Sequence, residues 1–315
     1  MAAAVLVLLA ACAPQTAPKA PPLAGAAPQP RPAVVLTPTR PLGRREPPPP
    51  GPASQMMTQY LASVEQALVG QGFLRTDPGT GLPRPTPAEL AETFVQVALR
   101  DEYRMQDGVL VPQAHAAPLR RWSGPVRMSV EFGPSVARPA RAQDRAWLRD
   151  FAARLGRVSG HPVRLTDGPG NFVVLIVDEE ERRAIGPRLA QLIPGIPAAD
   201  VRAIENLAPQ NYCTVFAYSP AGRPAYSNAV AVIRAELPPL LRLSCIHEEL
   251  AQGMGLANDS PQARPSIFND DEEFAFLTWQ DELLLKMLYD PRLSPGMTED
   301  QARPIALAVA AELLR

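Results

Sequence analysis

Proline sets the first limit on what this chain can fold into. The 315 residues include 38 prolines, and a dense group of them runs from Ala13 to about Ser54, with four in a row at Pro47-Pro48-Pro49-Pro50. Proline fixes one backbone dihedral and removes a hydrogen-bond donor. The same segment has almost no aromatic or branched apolar content apart from Val34-Val35-Leu36, so it has little to bury and is expected to stay extended and solvated. At about 3 Å per residue such a tether reaches on the order of 100 Å. The rest of the chain is long enough to bury a full core as one domain with small appendages. The expected divisions are a signal segment over 1–11, a disordered Pro-rich tether over 12–55 and a short helix with a Gly/Pro-rich connector over 56–85. A main domain over 86–291 and a C-terminal helix over 292–315 follow.

Periodicity gives the order of elements in that larger part. Met57, Tyr60, Leu61, Val64 and Leu68 recur at helical spacing up to Gly70, and Thr86-Pro87-Ala88-Glu89 has the form of an N-cap with Pro at the first helical position. Val126, Met128, Val130 and Phe132 alternate with polar residues as a half-buried strand, whereas the unbroken apolar run Phe172 to Val177 fits an interior strand. Trp147, Leu148, Phe151 and Leu155 mark a helix between Gln143 and Leu155. Asp178-Glu179-Glu180-Glu181 reads as a capped helix start, its carboxylates facing the positive end of the helix dipole. Cys213 to Tyr218 and Ala229 to Ala235 are two further strands, joined by the turn from Pro220 to Pro224. A helix from Leu243 to Met254 follows, and Thr298-Glu299-Asp300 opens a last one. This is an α+β order in which the sheet is finished before the Leu243 helix begins.

The first residues, Met1 to Cys12, form a short apolar run ending in Leu9-Ala10-Ala11-Cys12, which resembles a bacterial lipobox. The resemblance implies cleavage before Cys12 and lipidation of its thiol. The run is far shorter than the about 20 residues needed to span a bilayer. Residue 13 is Ala, not the Asp that retains lipoproteins at the inner membrane, so the expected place is the bacterial cell envelope, anchored in the outer membrane and facing the periplasm. In an oxidising compartment Cys213 and Cys245 are naturally read as a disulfide, with a thiolate metal site that includes His247, or two buried thiols, as alternatives. The formal net charge of -1 gives no global attraction for nucleic acid. No G-x-S-x-G elbow and no phosphate-cradling glycine loop occurs.

The stretch from Cys245 to Asp259 carries the functional signal. It holds Glu248, Glu249, Gln252, Gly255 and Asn258 at the fixed positions of the metzincin motif H-E-x-x-H-x-x-G-x-x-H. Downstream, Ser266-Ile267-Phe268 stands where metzincins carry a Ser-x-Met turn, and Leu277-Thr278-Trp279-Gln280-Asp281 and Leu288-Tyr289 resemble the ends of the last helix in matrixin-type members. From Leu243 to Tyr289 the chain therefore resembles a metzincin. The resemblance implies a zincin-like domain, a mixed β-sheet followed by an active-site-type helix, with Glu249 at the general-base position. It places Glu248, Gln252 and Asn258, with the neighbouring Asp259, at the ligand positions, and a turn built on Gly255, Ser266 and Phe268. The same stretch, with Pro265 to Asp270, also resembles a family of proteobacterial lipoproteins known only as domain of unknown function 2927, which brings no activity with it.

The departures from the motif decide the expected chemistry. All three ligand imidazoles are missing, and carboxylate and amide oxygens are poor substitutes at a catalytic zinc. In a register starting at His247 the next ligand position would be Ala251, which has no donor. His115 and His161 are the other histidines, both far away in sequence. On the helix, Ile246, Leu250 and Met254 form the core face, while Glu248, Gln252 and Glu249 share another that either lines a cleft or is solvated. The acidic run Asn269 to Glu273 is read as a solvated turn, with calcium binding as its functional alternative. The leading expectation is a non-catalytic binding or structural module of the envelope without a cofactor, held at the membrane by lipid and partnered by an envelope protein or peptidoglycan. The alternative is a peptidase or amidase with Glu249 as base around one divalent cation, manganese, calcium or zinc. A third is a structural protein whose polar face is a subunit interface.

Overall fold

The sheet is built around a strand that is apolar on both faces, Phe172–Val177. The computed structural model describes residues 48–106, 109–269 and 271–315, and the proposed signal segment, Cys12 and most of the Pro-rich tether lie outside them. The described residues form one compact unit. Its elements in order are α1 Pro52–Gly70, α2 Pro87–Ala98, β1 Arg100–Gln106, β2 Val109–Ala116, β3 Val126–Phe132, α3 Arg138–Ser159, β4 Val163–Leu165, β5 Phe172–Val177 and α4 Glu179–Arg183. There follow α5 Gly186–Leu192, α6 Ala198–Glu205, β6 Cys213–Tyr218, β7 Asn228–Arg234, α7 Pro239–Gln252, α8 Trp279–Leu288 and α9 Glu299–Leu313.

Five strands form a mixed sheet in the order β4-β3-β5-β7-β6. The first four are mutually parallel, and β6 runs antiparallel to β7 along one edge. A separate antiparallel hairpin joins β1 to β2. The continuous apolar run of β5 is explained by its central place, because both of its faces are covered. Phe172, Val174 and Ile176 enter the larger core with α2, α3, α7, α8 and α9, whereas Val173, Leu175 and Val177 enter a smaller one with Ile185, Leu189, Ile193 and Ile204. Burying each of those side chains contributes about 1.5–3 kcal/mol. Edge strand β6 is half-buried along its whole length.

Helix starts follow local chemistry. Thr86, Asp178 and Thr278 each form a reciprocal capping box with the residue three positions on. Pro52 and Pro239 sit at the first positions of α1 and α7. Helix α1 thus begins inside the expected 12–55 tether, and α7 begins four residues before Leu243. The segments expected as appendages share the main core: Leu61 of α1 and Ala306 and Val309 of α9 belong to the same cluster as Leu250. Among the described residues no helix is long and apolar enough to cross a membrane.

Candidate functional site

Helix α7 lies between the sheet and α3 and divides its side chains among three neighbours. Ile246, Leu250 and Met254 are fully buried, as their four-residue spacing requires. Cys245 turns to the sheet edge and forms a disulfide with Cys213 at the start of β6, with a Cα–Cα separation of 6.0 Å. His247 faces the core. It stacks on Phe151 at 4.1 Å between ring centroids, touches Phe276 at 4.9 Å, and its Nδ1 accepts a hydrogen bond from the Leu277 amide at 3.1 Å. Burial, and next the charge of Arg154, depress its pKa to about 3, so the ring is neutral. His115 is on β2 near Asp101, and His161 packs on Tyr289, so the three imidazoles do not converge.

The remaining face of α7 meets β6 across a cleft of about 630 Å³. Glu248, Glu249 and Gln252 line it from the helix, Asp259 from the segment after it, and Tyr212 to Tyr218 from the sheet edge. Asp101, Glu102, Asp200 and Glu272 bring the acidic residues on its walls to seven among the described residues, against one cation, Arg120. Arg120 is already paired with Asp101 at 2.5 Å. Glu249 is 5% exposed, and its Oε2 accepts no hydrogen bond from the described residues. Desolvation, and then the negative charge of Asp259, push the carboxyls of Glu248 and Glu249 well above the ordinary range. Tyr212 is pushed up to about 12, by burial first and Glu272 second.

The segment after α7 is fixed from below. Gly255 has φ +125°, and a Cβ there would stand 2.3 Å from the Arg120 carbonyl oxygen, so the chain can turn here only with glycine. Ser266 Oγ donates to Asp281 Oδ1 at 2.5 Å and accepts from the Phe268 amide at 3.0 Å, while Phe268 is fully buried. The Ile267 and Thr278 amides donate to Asp281 Oδ2 at 3.1 and 2.8 Å. Burial lifts Asp281 to about 6 against these bonds. The Ser266–Phe268 turn and the α8 capping box are therefore one hydrogen-bonded unit.

The sequence-derived ligand positions are only partly brought together. Glu248, Gln252 and Asp259 meet in the cleft, where Gln252 Nε2 donates to Asp259 Oδ1 at 3.0 Å. Asn258 turns the other way, its amide nitrogen donating to the carbonyls of Gln96 at 2.8 Å and Asp259 at 2.7 Å. Cys213 Sγ and one oxygen each of Glu248 and Glu249 lie within 4.8 Å of one another, but the sulfur is in the disulfide and is no thiolate. Two carboxylates and an amide whose N–H points at Asp259 do not fit a catalytic zinc, whose protein ligands include at least one imidazole. The acidic run after Asn269 is not uniformly solvated: Asp271 and Glu273 pair with Arg264, Glu273 also with Arg75, and Glu272, at φ +58°, lines the cleft.

A family model described as Protein of unknown function (DUF2927) matches residues 87–308, from the first residue of α2 into α9. The chain belongs to that family. The match opens and closes on two helices that pack against each other, so it encloses the sheet, α7 and every cleft residue named above. No curated protein matches the chain, and no solved structure does. Sequence reasoning missed Asp101, Glu102 and Asp200, which reach the cleft from β1 and α6. No local pattern marks them, because only the tertiary fold brings them to α7.

Proposed function

We propose that this domain is a non-catalytic binding module of the bacterial cell envelope, built on a metzincin-like frame and carried by a lipid-anchored, Pro-rich tether. The frame is supported by a mixed sheet completed before the site helix, by the glycine turn at Gly255 and by the Ser266–Phe268 turn tied to Asp281. The anchor is supported by the Leu9-Ala10-Ala11-Cys12 sequence. One observation carries the loss of zinc hydrolysis: the single imidazole of α7 is locked in the core by Phe151 and the Leu277 amide, while the cleft face offers carboxylates and an amide. Without a metal to acidify it, water is far too weak an acid to be activated by a carboxylate such as Glu249.

A second reading, a metal-dependent peptidase or amidase with Glu249 as base, is favoured by the unpartnered Oε2 of that residue. Elemental mass spectrometry separates the two on the full chain carrying Cys12→Ser, purified without chelator. Folded protein free of stoichiometric metal is the expected result. One divalent ion per chain, lost in both Glu248→Ala and Gln252→Ala, would overturn the non-catalytic reading.

A further inference from the structure

The acid-lined cleft has the volume of a side chain with part of its backbone, not that of a bare ion. At about 630 Å³ it sits within the range of organic-ligand sites. Among its described lining residues carboxylates outnumber cations, and the lining cation Arg120 is committed to Asp101. A row of acidic residues alone would specify nothing, because exposed carboxylates are satisfied by water. Glu249 is different: it lines the cleft, and its buried Oε2 has no donor among the described residues. A buried acceptor left without a donor costs about 1–3 kcal/mol, and more when charged. A ligand that brings an N–H donor and a positive charge removes both penalties together.

We propose that the cleft between β6 and α7 binds the cationic side chain of a lysine- or arginine-containing peptide, with Glu249 as the buried counter-charge and Glu248 and Asp259 beside it. The proposal rests on the binding-module reading and names its ligand class. Tyr212 and Phe216 line the same wall and offer aromatic surface to an aliphatic stem and its charged end. A hard metal ion is less well matched. It needs six to eight oxygens at about 2.3–2.6 Å for calcium, and here Asp259 Oδ1 is engaged by the Gln252 amide while Asn258 turns away.

The test is calorimetric titration of the full chain carrying Cys12→Ser with capped pentapeptides that differ only at the central residue: lysine, arginine, norleucine or glutamate. The expected result is binding of the lysine and arginine peptides at least tenfold tighter than norleucine, and at least a tenfold loss in Glu249→Gln. Glu131→Gln, outside the cleft, should bind like the parent. Asp259→Asn gives the second variant should Glu249→Gln lose its circular-dichroism signature. Equal affinity for lysine and norleucine overturns the proposal, as does unchanged affinity in a folded cleft variant. Saturation by calcium or manganese chloride without any basic-peptide binding overturns it in favour of a metal site. Mass spectrometry of the recovered peptide tells the two proposals apart: a bound but cleaved lysine peptide overturns the non-catalytic reading alone, and an unbound, uncleaved one overturns the cation proposal alone.

Discussion

Glu179 and Glu249 are both buried glutamates, and the protein treats them in opposite ways. Glu179 lies between Arg182 and Arg234, with Arg183 at its outer edge, and two of those guanidinium groups are as deeply buried as the carboxylate. Desolvation pushes its pKa up, yet the hydrogen bond from Arg182 and the charge of Arg234 outweigh that and hold it below the ordinary value. The charges that act on Glu249 are led by Asp259 and Glu102, both negative, and its pKa goes the other way. A buried carboxylate that carries its own cations is part of the scaffold. One that lacks them, in the wall of an open cleft, marks a place the fold leaves to something else.

The largest effect that could break this contrast is the loss of Glu179. Glu179→Ala leaves two buried guanidinium groups unpaired and should cost about 3–5 kcal/mol in urea unfolding. A loss below about 1 kcal/mol would mean that the pairing is not structural. Removing the Cys213–Cys245 bond, as a double serine variant, should cost about 3–4 kcal/mol in the chain-entropy model. It should also weaken peptide binding, because the bond holds β6 against α7 beside the cleft.

The acid response sharpens the comparison further. The pKa of His247 is depressed in the fold, so its contribution is complete above pH 6.5 and is lost as pH falls toward 3. At pH 5 the loss through this residue is about 2 kcal/mol. His247→Gln, which keeps an acceptor for the Leu277 amide, should flatten the stability curve between pH 6.5 and 5. An unchanged slope would show that the ring is not held neutral. The smallest effect is expected at the cleft. Because the Glu249 carboxyl is raised, its contribution is complete below the ordinary glutamate range and is lost as pH rises through the folded value. Glu249→Gln should therefore gain about 1 kcal/mol at neutral pH and lose that advantage at acid pH, as read by urea midpoints. A loss at neutral pH would mean that Glu249 is already satisfied.

Local chemistry made much of the scaffold legible. The alternation from Val126 to Phe132 and the unbroken run from Phe172 to Val177 coincide with β3 and β5, since each strand's burial pattern is written in its own residues. The boxes at Thr86 and Thr278 start helices where their spacing requires. The hairpin of β1 and β2 escaped notice because Arg100-Asp101-Glu102 shows no period-two apolar signal, and β4 is three residues long. At the site, Glu248, Glu249 and Gln252 could be assigned to one face from helical geometry. Whether that face met water or a wall depended on β6, and the inward turn of His247 depended on Phe151 and Phe276, contacts that no local pattern encodes.

The covalent link from α7 to β6 has a consequence for selectivity. Because Cys213 opens one wall of the cleft and Cys245 lies one helical turn from Glu249 on the other, the two walls cannot part at that end as a pair of jaws would. The aperture there behaves like a caliper locked at one setting. A ligand entering it meets a gauge set when the bond was made, so discrimination rests on fit at first encounter, and little entropy remains to be lost on closing. The same lock makes the gauge conditional on chemistry outside the molecule: in a reducing medium the setting is released, and the width of the cleft becomes a variable.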